Sequence, residues 1–238
     1  PSVNFSPFIE KAYLDIHQLF GYPIEATFGR QSYRLGSGLL LDDNGAGLTG
    51  ASFRASLPWW GLRFEGFAFS AKAAQDSANN LGLFGGSFVL PGEGTWQLSE
   101  LIERDQKTQK IYGCSYPTMP AAGCMVSKAM RSFTSLRYQI NYGPIVFDGE
   151  AAIQRGVATP TGVNPLQTHI IYNGDAQVVR AKWKQGFYRI GEGIARMSLA
   201  RGSGDSPTNT TSDEAFFPSH GHRFDGLERA GFGDFYGA

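Results

Sequence analysis

The sequence has few cysteines, few histidines and no long hydrophobic run. Its 238 residues include 2 cysteines and 4 histidines. No stretch approaches the roughly 18–20 consecutive apolar residues that a transmembrane helix needs. Lys+Arg and Asp+Glu both number 21, so the net charge is zero and gives no electrostatic basis for binding nucleic acid. The composition therefore argues against a helical membrane protein and against a nucleic-acid partner.

Motifs of the common enzyme classes are also absent. The sequence contains no G-x-S-x-G, no H-E-x-x-H, no phosphate-binding glycine loop and no C-x-x-C-H. His17, His169, His220 and His222 are too scattered for a convincing catalytic site, and His169 near Thr168 is a weak hydrolase candidate. We therefore expect no enzymatic activity.

The two cysteines, Cys114 and Cys124, lie in one polar stretch without a C-x-x-C or a neighbouring histidine. That setting favours a local disulfide over a metal pair, and two free thiols are the alternative. A disulfide here implies an oxidising compartment. It stabilises the loop by about 2.5–3 kcal/mol through reduced chain entropy.

Glycine and aromatic residues are abundant, and apolar residues recur at every second position. In "GASFRASL", Ala51, Phe53, Ala55 and Leu57 alternate with polar residues. "PIEATFGRQ", "SFTSLRYQINY" and "IVFDGEAAIQ" show the same pattern. Alternation of this kind predicts strands with one apolar face and one polar face.

Short and long connections alternate along the chain. The tight turns are "FGYP" near Gly21, "PWWG" near Trp60, "LPGEG" near Gly92, "YGP" at Gly143 and "KQG" at Gly186. The long connections span about 36–48, 71–80, 104–131, 156–172 and 202–221. This alternation is typical of outer-membrane barrels, which have short periplasmic turns and long extracellular loops. The runs of about 9–11 residues also match the length of a tilted transmembrane strand.

Aromatic residues cluster where the strands meet the turns, as in a membrane-interface girdle. They are Phe20, Tyr22, Trp59, Trp60, Tyr142, Trp183 and Phe187. We therefore predict an all-β fold: a transmembrane antiparallel β-barrel of the outer-membrane type, with residues 1–238 as a single domain. A large soluble β-sheet with aromatic corners is the alternative.

Five hairpins and an eleventh strand after Asp225 can be counted. Bacterial single-chain barrels have an even number of strands and must close. We therefore interpret the chain as part of a larger barrel.

Two stretches resemble the alginate-export family of outer-membrane channels: "FGRQSYRLGSGLLLDDNGAG" and "RGSGDSPTNTTSDEAFFPSHGHRFDG". The residues that carry the resemblance are Gly29, Arg30, Gln31, Gly202, Gly204, Asp205, Phe217, Pro218, His222, Phe224 and Gly226. The resemblance implies a barrel of about 18 strands through which a polysaccharide leaves the cell. This chain would cover only its central part.

If the apolar strand faces meet lipid, the polar faces line the interior. Parity then predicts pore-lining or solute-binding roles for Arg54, Arg63, Glu65, Arg137, Asp148, Glu150, Arg180, Lys182, Lys184, Glu192 and Arg196, with Glu25 beside them. Charged rings of this kind set ion preference. The alternative is cross-strand ion pairs that stiffen the wall, such as Arg63 with Glu65 or Arg137 with Glu150. The mixed signs differ from the strongly basic constriction of alginate exporters.

Three functions follow from this interpretation. The first is a passive channel of the bacterial outer membrane, in contact with outer-membrane lipids, that passes or exports a polar solute or an anionic polysaccharide such as alginate. The second is a structural barrel that acts as a sheath or scaffold for a periplasmic or surface protein partner. The third is a soluble glycan-binding β-protein.

The stretch "SDEAFFPSHGHRFDG" combines acids, histidines and phenylalanines. We expect no cofactor, with structural calcium as a weaker alternative, for which Asp205, Asp213, Glu214 and Asp225 are the weak candidates, because calcium prefers oxygen ligands. The favoured role is architectural, with Phe216, Phe217 and Phe224 packing the loop down.

Overall fold

The protein is described here by a computed structural model covering residues 11–43, 45, 47–57, 61–71, 81–105, 125–161, 169–187, 191–204, 212–216 and 218–219. Across these ranges it is almost entirely antiparallel β-sheet, with a short 3-10 turn at Leu19–Gly21 and no α-helix. No helix in the same ranges has the length and apolar character needed to span a bilayer. The all-β part of the predicted fold class is confirmed.

Thirteen strands lie in the described ranges. They are β1 (Ala12–Ile16), β2 (Ile24–Gln31), β3 (Arg34–Leu35), β4 (Leu41–Asp42), β5 (Leu48–Leu57), β6 (Leu62–Ala71), β7 (Leu81–Pro91), β8 (Thr95–Asp105), β9 (Met125–Tyr142), β10 (Ile145–Thr161), β11 (Ile170–Phe187), β12 (Gly191–Gly202) and β13 (Ser212–Asp213).

The main sheet is a meander in which neighbouring strands follow one another along the chain, except that β3 and β4 lie in sequence between β2 and β5. Its order is β1-β2-β5-β6-β7-β8-β9-β10-β11-β12, and the short β13 adds to β11 in parallel. β3 and β4 form a separate small pair. Within the described residues β1 and β12 do not pair with each other, so no closed barrel is seen there. The eleventh strand predicted after Asp225 lies outside the described residues.

Strand lengths agree with the prediction in one part of the sheet and exceed it in another. β5 to β8 have 10 or 11 residues, whereas β9, β10 and β11 have 18, 17 and 18. The predicted loops 104–131 and 156–172 were therefore too long, and Gly186 lies within β11 rather than in a turn. The strands continue through positions such as Ser132 and Asn173. Both residues are polar and interrupt the apolar alternation, so the alternation could not predict the full length of these strands.

The two faces of the sheet differ in exposure. On one face, the cross-strand row of Phe88, Leu98 and Leu136 is about half exposed. On the other, Phe133 is fully buried and Phe67 nearly so. We call these the outer face and the inner face.

Residues 32–43, here called the inward segment, cover part of the inner face. Leu35, Leu39, Leu40 and Leu41 are fully buried, and the cluster they form includes residues of β6 to β11. Residues 36–48 lie between β2 and β5, as the predicted long connection requires, but their leucines are buried, so the description of this stretch as polar was wrong. A run of three leucines between glycines and acids is too short for a transmembrane strand, and burial against the sheet removes it from water.

The reach of the inward segment requires the sheet to curve. Ser37 hydrogen-bonds to Glu150 on β10, which lies six strand positions from β2, or roughly 29 Å across a flat sheet. The six Cα-to-Cα steps from Gln31 to Ser37 span at most about 22 Å, and a turn from Leu35 to Gly38 shortens that reach. The inner face is therefore concave.

A second stretch, residues 212–216 and 218–219, also packs on the inner face. Phe216 is fully buried and meets Phe133 edge-on, with 6.1 Å between ring centroids. At Gly174, a Cβ atom would lie 2.8 Å from both Ala215 O and Phe216 Cα, so glycine permits this close approach. The packing role predicted for Phe216 is confirmed, whereas Phe217 and Phe224 lie outside the described residues.

Candidate functional site

The inner face gathers the charged side chains singled out in the sequence. The strand registers place on this one face Glu25, Arg54, Arg63, Glu65, Arg137, Asp148, Glu150, Arg180, Lys182, Lys184, Glu192 and Arg196. The structure thus brings all the suggested pore-lining residues to the concave side.

Arg137 forms an ion pair with only one of the two nearby carboxylates on β10. Its Nε and Nη2 donate to Asp148 at 2.7 and 3.0 Å, and Arg180 Nη1 lies 3.8 Å from the same carboxylate. Glu150 is directly opposite Arg137 in register, yet the suggested ion pair between them does not form. Glu150 instead binds the inward segment.

The backbone of Ser37 is held at both ends by the sheet. Its N–H donates to Glu150 Oε2 at 2.8 Å, and its carbonyl accepts from Arg180 Nη1 at 3.0 Å. Gly36 has φ +60°, and a Cβ atom there would lie 2.8 Å from Glu150 Oε1. We call this arrangement of Gly36, Ser37, Glu150 and Arg180 the Ser37 clasp.

A second charged cluster lies on β5 and β6. Glu65 is nearly buried, with Arg54 Nε at 3.5 Å and Arg63 Nε at 3.2 Å, so the suggested Arg63–Glu65 pair is present. Tyr33 of the inward segment is close by, and burial, reinforced by Glu65, raises its pKa far above the usual range. Its phenol therefore stays neutral, and its hydroxyl has no hydrogen-bond partner among the described residues.

The β11–β12 side of the inner face has an excess of positive charge. Lys184 Nζ lies 2.9 Å from Glu192 Oε1. Lys182 is directly opposite Arg196, and neither forms an ion pair within the described part of the chain. Like charges opposite each other destabilise a sheet, so this pair weakens the β11–β12 ladder.

Sequence reasoning missed a buried ion pair between Glu103 and Arg131. Arg131 Nε and Nη2 each donate to Glu103 at 2.8 Å, and both side chains are at most 1% exposed. The guanidinium lies 5.0 Å from the Phe133 ring centroid, and the Ser219 hydroxyl donates to Glu103. Both charged residues lie at the margins of the predicted 104–131 loop. Because this stretch was assigned to a loop, the sequence did not indicate that the two side chains lie on the same face of the sheet.

The first family-motif stretch ends β2 and supports its packing. Gln31 is buried, donates from Nε2 to Thr27 O at 3.0 Å, and accepts from Ser52 Oγ at 2.7 Å. Gly29 has φ +122°, and a Cβ atom there would approach Ala12 O to 2.4 Å. Arg30 is half-buried on the outer face.

The second family-motif stretch is described only in part. Gly202 ends β12, Gly204 is exposed and Pro218 is half-buried. The remaining motif residues, together with both cysteines, lie outside the described residues: Asp205, Phe217, His222, Phe224, Gly226, Cys114 and Cys124.

The calcium candidates that can be placed have structural contacts. Asp213 Oδ1 accepts from the Ala215 N–H at 3.1 Å. Glu214 is exposed, and its carbonyl accepts from Ser203 Oγ at 2.6 Å. Asp205 and Asp225 lie outside the described residues. Where the structure describes the chain, no group of three or more metal-ligating side chains occurs.

The chain matches no protein-family model, and no curated protein matches it significantly. The likeness to alginate exporters therefore rests on the motif residues alone.

Proposed function

We propose that this chain forms part of the wall of an outer-membrane β-barrel channel that passes a polar solute, related to the alginate-export family. The observation that supports this most is the contrast between the two sheet faces. Large apolar side chains are exposed on the outer face, whereas the concave inner face holds charged side chains. An apolar surface of this extent indicates burial against another apolar medium.

The apolar part of the outer face covers much of the height of a membrane band. On β9 it runs from Tyr142 to Leu136, above which Thr134 hydrogen-bonds to Glu100. These seven residues span about 20 Å along the strand, or roughly 16 Å along the membrane normal at a tilt near 40°, which is about two-thirds of the ~25 Å band of outer-membrane barrels.

Aromatic residues mark the hairpin end of this band. Trp96 packs against Tyr138 at 4.4 Å between centroids, and Tyr142 is exposed beside its turn. Trp183 is on the same outer face, opposite Ile145. This is the position of an interfacial girdle.

Closure follows from the same physics. In lipid, the edges of β1 and β12 that have no partner among the described strands would be costly, so pairing with other strands completes the barrel in this proposal. The inward segment then narrows the interior, which suits a small or extended solute better than a folded protein partner. That narrowing favours a channel over a protein-holding scaffold.

Electrical recording tests the channel directly. The full-length protein, purified in detergent and added to a planar bilayer, is expected to give stepwise ion conductance. The same protein in liposomes is expected to let small sugars leak. Correctly folded protein that neither conducts nor allows leak would contradict the proposal.

A further inference from the structure

Beside the inward segment, the inner face carries a polar groove along β1, β2 and β5. Its volume is about 290 Å³. The lining side chains used in this inference are Tyr13, Asp15, Thr27, Gln31, Tyr33 and Ser52. None of them belongs to the charged set described above, and the proposed channel function leaves the groove unassigned.

Hydrogen bonds fix the polar wall of the groove in advance. Thr27 Oγ1 donates to Asp15 Oδ1 at 2.6 Å, and Ser52 Oγ donates to Gln31 Oε1 at 2.7 Å. Carboxylate and hydroxyl oxygens have further lone pairs, so each pair still accepts from a ligand. A wall of preoriented acceptors suits a ligand that carries many hydroxyl groups.

Aromatic rings supply a second kind of surface. Tyr13 faces the groove with 53% of its surface exposed, and the buried Tyr33 lines the same groove next to the inward segment. A tyrosine ring offers a flat apolar face beside a polar edge. A sugar ring has the matching surfaces, because its C–H groups form an apolar face and its hydroxyls form a polar rim.

The charges of this region balance. A second groove of about 710 Å³ shares His17, Glu25 and Arg54 with the first and extends it toward the hairpin end. The two grooves together are lined by three cations and three carboxylates: Lys11, Arg54, Arg63, Asp15, Glu25 and Glu65. A balanced wall lacks the long-range attraction that a polyanion would need.

We propose that this groove binds a neutral saccharide. The inference deepens the proposed function, since it names the class of solute that would move along the β1–β6 side of the channel. It also separates this chain from a polyuronate exporter, because the groove recognises hydroxyls and ring faces rather than carboxylates.

Calorimetry with the full-length protein in detergent tests the groove, with maltohexaose as the neutral probe and a galacturonate hexamer as the anionic one. Maltohexaose is expected to bind, and Tyr13→Ala is expected to weaken that binding about tenfold through loss of the ring surface. Tyr22→Ala is the matched control, since Tyr22 is exposed at the β1–β2 turn outside both grooves. Thr27→Val, which keeps the side-chain shape, provides a second variant and is expected to weaken binding as well.

Equal binding of the two hexamers, tighter binding of the anionic one, or no binding of either would overturn the groove proposal. So would equal affinities in Tyr13→Ala and Tyr22→Ala. If the protein conducts ions but does not bind maltohexaose, the channel proposal stands and the groove proposal is rejected. If maltohexaose binds in a Tyr13-dependent way but the protein does not conduct ions, the groove proposal is supported and the channel proposal is rejected.

Discussion

Glu103 and Arg131 form a paired charge in a dry environment. Each side chain is at most 1% exposed, so each charge depends mainly on the other for compensation. Removing one partner leaves a buried uncompensated charge, which costs far more than an exposed pair contributes.

We expect Glu103→Ala to lower the free energy of unfolding by about 3–5 kcal/mol. The double variant Glu103→Leu with Arg131→Met should recover most of that loss, because no charge is then left buried. Glu93→Ala, in the exposed β7–β8 turn, is the control and should change little. Urea unfolding in lipid vesicles measures all three, and additive losses in the double variant would contradict this explanation.

For single residues, the sequence predicts which face of the sheet a side chain lies on, but not which side chain it pairs with. Alternation placed Arg137, Asp148 and Glu150 on one face, which the registers agree with. It could not predict that Arg137 forms its ion pair with Asp148, because Glu150 is the residue directly opposite Arg137. Glu150 is engaged by Ser37, which lies 113 residues away in sequence, and a contact of that range leaves no local pattern.

Among the elements, the inward segment has the greatest effect on the space inside the sheet. The Ser37 clasp fixes its turn through Glu150 and Arg180, while its leucines pack onto the inner face. Loss of the clasp removes the polar anchor but leaves the apolar contacts, so the segment should loosen rather than unfold.

Glu150→Ala is therefore expected to increase channel conductance and to speed trypsin cleavage after Arg34, which lies in the segment. The matched control is Glu192→Ala, because Glu192 is an inner-face carboxylate paired with Lys184 away from the segment. Planar-bilayer recording and timed digestion provide the two readouts. Indistinguishable behaviour of the two variants would show that the clasp does not hold the segment.

The hairpins could be predicted from the sequence, and the inward segment could not. Turn residues such as Gly21, Gly92 and Gly143 lie between strands that alternate clearly, so local signals define them. "GSGLLLDD" contains glycines and acids that indicate a loop, while its leucines are buried by strands far along the chain. Tertiary burial decided its position, and a local pattern carries no information on that.

For the molecule as a whole, the proposed position in the membrane means that the cost of placing a charge on the outer face depends on its depth in the bilayer. Leu136 lies within the apolar band, whereas Thr134, two residues further along β9, lies at its upper edge beside Glu100. The same charge placed at these two sites should therefore have different consequences.

Leu136→Arg is expected to lower the free energy of unfolding from lipid by more than Thr134→Arg, whose cost should be only about 0–1 kcal/mol, because the cost of a charge rises from the interface toward roughly 2–4 kcal/mol at the bilayer midplane. Both are measured by denaturant titration in vesicles. Equal costs at the two positions would show that the outer face does not lie in hydrocarbon.

The Ser37 clasp also imposes an order of assembly on the chain. Its two hydrogen bonds join residues 113 and 143 positions apart, and closing loops of that length is slow. Glu150 and Arg180 cannot reach Ser37 until β10 and β11 have joined the growing sheet and curvature has brought them across. The interior is thus narrowed late, after the wall that surrounds it has formed.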